Sequence, residues 1–123
     1  MAALAADLKE ERRQFCLVLV KPSHYDDNGY VIQWLRSPVP SNSLASLCGL
    51  AKDCAERRVL GDVEIDVHVY DENNIRIRHQ RLAAMIEAAG AGFVLLVGVL
   101  VNQFPRALDI ARPLRDRGIQ VCN

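Results

Sequence analysis

An α/β fold built on a parallel sheet is predicted by three observations on this chain of 123 residues. Short apolar runs alternate with segments whose apolar residues recur every three or four positions. Two of the runs, at residues 14–20 and 93–101, are continuous, as strands covered on both faces are. The order strand, helix, strand, helix, strand, helix, strand then implies right-handed crossovers and helices on both faces of one sheet.

Each element follows from its residues. Gln14-Phe-Cys-Leu-Val-Leu-Val20 is the first strand and ends at Lys21-Pro22. A long connection rich in Pro, Ser, Asp, Asn and Gly follows, with Tyr25, Tyr30, Trp34 and Leu35 embedded in it; connections of that length are often binding loops. Ser41-Asn42-Ser43 offers side-chain oxygens to cap a helix carrying Leu44, Leu47, Cys48, Ala51, Cys54 and Ala55 on one stripe, with Arg57 and Arg58 in its last turn. Val63 to Tyr70 alternates strictly, as an edge or half-exposed strand does, and ends at Asp71-Glu72. A second helix, about Arg78 to Ala89, stops before Gly90-Ala91-Gly92. Phe93 to Val101 reads as the most buried strand, and Asn102-Gln103-Phe104-Pro105 starts a third helix in which Pro113 predicts a kink or an early end. Gly118 closes that helix, and a fourth strand begins at Ile119.

Composition narrows the function. Half the residues are hydrophobic and 15 basic side chains balance 15 acidic ones, which suits one globular domain and argues against affinity for a nucleic-acid backbone. The longest apolar run is well short of the roughly 20 residues that span a bilayer, so no membrane segment is expected. The N-terminus mixes acids and bases and lacks an export signal, so the expected location is cytoplasmic. Residues 1–13 read as a helical or flexible extension ahead of a domain at 14–123. Cys16, Cys48, Cys54 and Cys122 form no C-x-x-C pair and no cluster-binding triplet, which leaves reduced, buried thiols.

The order 2-1-3-4 places a topological switch between the first and third strands, and ligands of such sheets bind there, beyond the carboxyl ends. The loops after Val20 and Val101 are expected to meet at that place. Lys21-Pro22-Ser23-His24 contains neither a dinucleotide fingerprint nor a phosphate-binding loop, and a phosphoacceptor receiver lacks its aspartates. His24, His68 and His79 show no metal-ligand spacing, and Asp26-Asp27 sits in a Tyr-Asp-Asp-Asn-Gly stretch that reads as a turn. A hydrolase or transferase using His24 with Asp26 or Asp27 is the least supported alternative. Lys21 ends the first strand where an anion would lie, and Asp71 and Glu72 end the second where a ligand's polar edge would lie; solvation or capping explains all three as well.

A resemblance covers residues 14–123. The first strand and its Pro-containing loop, then Ser37-Pro38-Val39-Pro40-Ser41-Asn42-Ser43-Leu44-Ala45-Ser46-Leu47 leading into a helix, and a strand ending in Asp71, resemble the N-terminal cobalamin-binding domain of radical S-adenosylmethionine proteins. Val97-Gly98-Val99, and Asn102 through Arg115 before Gly118, agree with it. The resemblance implies a flavodoxin-like (Rossmann-like) domain that holds cobalamin over the strand ends, is non-catalytic alone, and stands ahead of a radical S-adenosylmethionine catalytic domain. It implies a cofactor site drawn from Lys21, Tyr30, Trp34, Ser41, Asn42, Ser43, Asp71, Gly98, Asn102 and Gln103, with Leu35 and Val39 as further apolar cover. The aromatic side chains equally suit pinning the long loop onto the domain.

Two departures stand beside the likeness. The mutase type of cobalamin domain carries D-x-H-x-x-G after its first strand, whereas Pro22 precedes Ser23-His24 here and Gly29 follows five positions later; His24 is therefore read as a loop residue and no metal ligand is assigned. The family also continues its fourth strand into a Gly-Gly turn, a further strand and a helix, so the chain is expected to be a partial, truncated domain. The alternative from another class is an interaction module whose incomplete sheet pairs with a partner chain or a second copy.

Overall fold

The computed structural model describes residues 13–34 and 41–123. Residues 1–12, which form nearly all of the expected N-terminal extension, lie outside the described part, as do Leu35 and Val39. The elements are β1 (Gln14–Lys21), α1 (Asn42–Glu56), β2 (Glu64–Asp71), α2 (His79–Ala89), β3 (Gly92–Leu96), a single 3-10 turn (Val101–Gln103), α3 (Phe104–Asp116) and β4 (Gln120–Cys122).

The four strands form one parallel sheet in the order β2-β1-β3-β4, an α/β architecture of flavodoxin-like type. Alternation along β1 explains the layering. Cys16, Val18 and Val20 point to the face covered by α2 and α3, where they join Leu82, Ala83, Ile86, Val94, Leu96, Ala107, Ile110 and Leu114 in the larger core. Leu17 and Leu19 point the other way and pack with Leu44, Ala51 and Val97 under α1. A strand buried on both faces must be apolar at every position, which is why β1 shows no alternation of polarity. β2 lies at the sheet edge, as its alternating pattern predicts.

Two boundaries differ from the sequence reading. β3 ends at Leu96, not Val101. Gly98 adopts a left-handed backbone (φ +61°) that a continuing strand does not allow, and the chain leaves the sheet there. Leu100 and Val101, read above as strand interior, are exposed; Val101 retains 93 % of its accessible surface. α3 continues through Pro113 to Asp116 instead of ending early. The hydrogen bond that proline removes would have gone to the carbonyl of Asp109, and Asp109 is an exposed residue.

Among the described residues no helix is long and apolar enough to cross a membrane. All four cysteines are free thiols. Burial first, and the Asp66 carboxylate second, push the Cys16 thiol above the ordinary cysteine range. The folded protein therefore keeps this proton at a pH where the unfolded chain has lost it. Stability from this group is constant below the ordinary thiol pKa and falls as pH rises from there through the raised value. Cys48, Cys54 and Cys122 are only half-buried. Titration of the native protein with an aromatic disulfide reagent is expected to modify Cys16 last, at a rate that rises sharply on unfolding; Cys16 reacting as fast as the others would contradict its placement.

Candidate functional site

The register brings the carboxyl ends of β1, β2 and β3 level. Lys21 pairs with Asp71 across one boundary and Val20 with Leu96 across the other, and the Val97 amide donates to the Val20 carbonyl at 2.8 Å. Beyond these ends the loops divide into two constellations, one toward α1 and one toward α3.

The first lies at the switch point. Lys21 continues the α1-facing side of β1, and its ammonium donates to the Gly98 carbonyl and, at 3.1 Å, to Gln103 Oε1. Gln103 Oε1 also accepts the Leu100 amide at 2.9 Å, so one buried side chain holds both the lysine and the turn after β3. Burial pulls the Lys21 ammonium below the ordinary lysine range, and the Asp71 carboxylate offsets part of that effect. A methyl group at Gly98 would stand 3.1 Å from Lys21 Nζ and 3.5 Å from Ser43 Cβ. Three segments, the end of β1, the start of α1 and the loop after β3, thus converge on a glycine that has no side chain to separate them.

Ser41, Asn42 and Ser43 open α1. Ser41 Oγ accepts the Leu44 amide at 3.2 Å, the N-cap its sequence predicts, while Asn42 and Ser43 are exposed. Asn102 is exposed on the 3-10 turn. Apolar side chains open to solvent follow the turn after β3 into α3, at Leu100, Val101, Phe104 and Leu108; Tyr30 and Trp34, 72 % and 57 % exposed, are on the loop after β1.

The second constellation anchors that loop. Glu72, directly after β2, is 1 % exposed and receives Arg106 side-on, Nε to Oε1 at 2.9 Å and Nη2 to Oε2 at 2.7 Å. Glu72 Oε1 also accepts the Ser23 amide at 3.1 Å. The Glu72 hydrogen bonds hold the Arg106 guanidinium above arginine's ordinary range despite its burial. That guanidinium lies over the Tyr25 ring, 5.8 Å from its centre, and the Tyr25 hydroxyl donates to Asp109.

From Tyr25 the loop makes a tight turn in which Asp26 Oδ1 accepts the Asn28 and Tyr30 amides, both at 2.9 Å, and returns by pairing Tyr25 with Val31. Ser23 Oγ donates to the Ile32 carbonyl at 2.6 Å and the Trp34 amide to the Asn73 carbonyl at 2.7 Å, so the loop closes over the end of β2. The long connection is therefore an ordered excursion across the described residues, and Asp26 performs turn chemistry, as its surroundings predict.

Of the sequence-derived residues, Lys21, Ser43, Gly98 and Gln103 come together. Ser41, Asn42 and Asn102 stand beside them. Asp71 is opposite Lys21, with Oδ1 accepting the Asn73 amide at 3.0 Å. Tyr30 and Trp34 are on the excursion, apart from that cluster. The sequence reading did not single out Arg106 or Asp109, nor join them to Tyr25 and Glu72. It missed the exposed rim of Leu100, Val101 and Phe104, for which the glycine interrupting the apolar run was the available signal. Among the described residues no group of three or more His, Cys, Asp or Glu side chains is placed to hold a metal ion.

No family model, curated protein or solved structure matches the chain.

Proposed function

We propose that this domain binds cobalamin, as the cofactor-holding part of a radical S-adenosylmethionine type protein, and is not catalytic by itself. The observation that carries the proposal is the convergence of the end of β1, the start of α1 and the turn after β3 on Gly98, in a sheet of order 2-1-3-4. The residues present fit the group. A corrin is broad, has apolar faces and carries amide side chains, and its nucleotide tail is long and narrow.

Tyr30, Trp34, Leu100, Val101 and Phe104 supply open apolar surface around the strand ends, and such surface on a small domain is normally a binding face. Asn42, Ser43 and Asn102 supply neutral donors and acceptors near Gly98, with the start of α1 adding backbone N–H groups. Gly98 is exposed and carries no side chain, and Lys21 and Gln103 stand beside it. Cobalamin, when bound, supplies the radical or group-transfer chemistry of its cobalt. The chain's own contribution is to orient the macrocycle, exclude water from one face and present the other to a catalytic partner.

Apoprotein mixed with hydroxocobalamin is expected to carry the red pigment through gel filtration with a shifted visible spectrum. Elution of all pigment at the free-cofactor volume would overturn the proposal. A second reading, an interaction module that docks a partner chain or a second copy, draws on the solvent-facing stripe of Val101, Phe104 and Leu108. Dimerisation without cofactor, abolished by Val101→Asp, would favour it.

A further inference from the structure

The even balance of 15 basic and 15 acidic side chains holds for the chain as a whole and fails locally. Residues 73–86 contain Arg76, Arg78, His79 and Arg81 and neither Asp nor Glu. The run joins the carboxyl end of β2 to α2, at the same end of the sheet as the loops after β1 and β3. Ile77 enters the larger core, and Arg76 and Arg78 on either side of it are exposed, as is Arg81 in the first turn of α2. Among the described residues none of these three guanidinium groups has a carboxylate partner; the ion pairs of arginine lie elsewhere, at Arg57, Arg106 and Arg117.

This placement works against the helix it opens. Arg78 occupies the N-cap of α2, where a side-chain acceptor is favoured, and makes no capping hydrogen bond; no acid stands in the first turn. Cations at that end oppose the helix dipole and repel one another. Local preferences broken with no compensation inside the fold are the mark of a functional surface, and the missing partner of a guanidinium cluster is an anion. A second feature narrows the anion. Trp34, more than half exposed, is tied to the start of the run: its amide donates to the Asn73 carbonyl at 2.7 Å, and Gln33 Nε2 donates to the Glu72 carbonyl at 3.3 Å. Guanidinium groups beside an open indole suit a polyanion that carries flat rings. An acidic peptide would use the charges and leave the indole idle.

We propose that residues 76–81, with Trp34 beside them, are a docking surface for single-stranded nucleic acid, in which Arg76, Arg78 and Arg81 meet phosphates and Trp34 stacks on a base. The inference goes beyond the cobalamin reading and shares only Trp34 with that site. Trp34 is the one tryptophan of the chain, so its emission reports stacking directly.

The test is titration of the protein with a short single-stranded oligouridylate, read by tryptophan emission over a range of salt. Saturable quenching is expected, with an affinity that falls with salt at a logarithmic slope of about −2, or about −0.7 for each phosphate met. Arg76→Gln and Arg81→Gln are each expected to weaken binding about fivefold at low salt and to flatten the slope by about 0.7. Arg115→Gln, which removes the same charge from the last turn of α3 at the opposite end of the sheet, is expected to bind as wild type does. Absence of quenching, or an equal loss in Arg115→Gln, overturns the proposal. Polyglutamate or vesicles of anionic lipid binding at least as tightly as the oligonucleotide also overturn it, the first identifying a surface for acidic peptide and the second one for a membrane.

Discussion

Replacing Gly92 with alanine is expected to destabilise the fold severely. Gly92 opens β3 directly against Cys16 of β1, and an added Cβ would stand 2.1 Å from the Cys16 carbonyl oxygen, 2.9 Å from its carbon and 3.0 Å from its nitrogen. All three atoms belong to the backbone of the central strand, so no side chain can rotate away. The residue also sits at φ +152°, a conformation that side chains rarely adopt. Relief requires β1 and β3 to separate where the larger core begins, a cost above about 4 kcal/mol in a domain whose total stability is of order 5–15 kcal/mol. Gly90→Ala is the control. Gly90 is also left-handed (φ +86°), but nothing lies within 4 Å of its absent Cβ, so only the local strain of about 1–2 kcal/mol is expected. Urea denaturation checks both; a Gly92→Ala protein within about 1 kcal/mol of wild type would mean that β1 and β3 do not pair in this register.

Glu72→Ala is expected to cost about 3 kcal/mol, the lower part of the range for breaking a buried ion pair by removing one partner. The lower part applies because the Arg106 side chain keeps 18 % of its surface in water and retains Tyr25 as a neighbour. The loss combines an uncompensated guanidinium with an orphaned Ser23 amide. Loss of that amide bond also frees the excursion after β1, so faster hydrogen exchange is expected at Ser23 and Ile32, ahead of global unfolding. The exposed pairs Arg57–Asp53 and Arg117–Glu87 provide the contrast: Asp53→Ala and Glu87→Ala are each expected to change stability by less than about 1 kcal/mol. Equal effects at all three sites would remove the distinction that the burial of Glu72 makes.

Much of this architecture was legible because short-range pattern carries it. The unbroken run of β1 declares a strand covered twice, the alternation of β2 declares an edge, and Ser41 caps the helix it precedes. The end of β3 was not legible. Apolar residues continue to Val101, and pattern alone does not separate apolar residues that fill a core from those that form an open rim; the backbone turn at Gly98 makes that division. Pro113 misled for a related reason, since the penalty of a proline depends on whether the carbonyl it abandons can reach water.

Within the site, the cluster of Lys21, Gly98 and Gln103 followed from topology, which places the loops after β1 and β3 together. The Tyr25–Asp109 contact, 84 positions apart, and the Glu72–Arg106 pair did not, because no periodicity encodes which charged loop residue meets which exposed helix position. Glu72 looked like a solvated strand end. Its burial is created by the excursion after β1 folding back over it, a tertiary event with no local signature.

Amide NMR of the labelled domain titrated with hydroxocobalamin tests the central assignment most directly, because it reports where the cofactor sits as well as whether it binds. Perturbations are expected at Ser43, Gly98, Val99 and Asn102 and along the rim at Val101 and Phe104, with residues at the opposite, amino-terminal end of the sheet, such as Arg58 and Glu64, unmoved. Shifts confined to that opposite end, or a spectrum indifferent to saturating cofactor, would contradict the account.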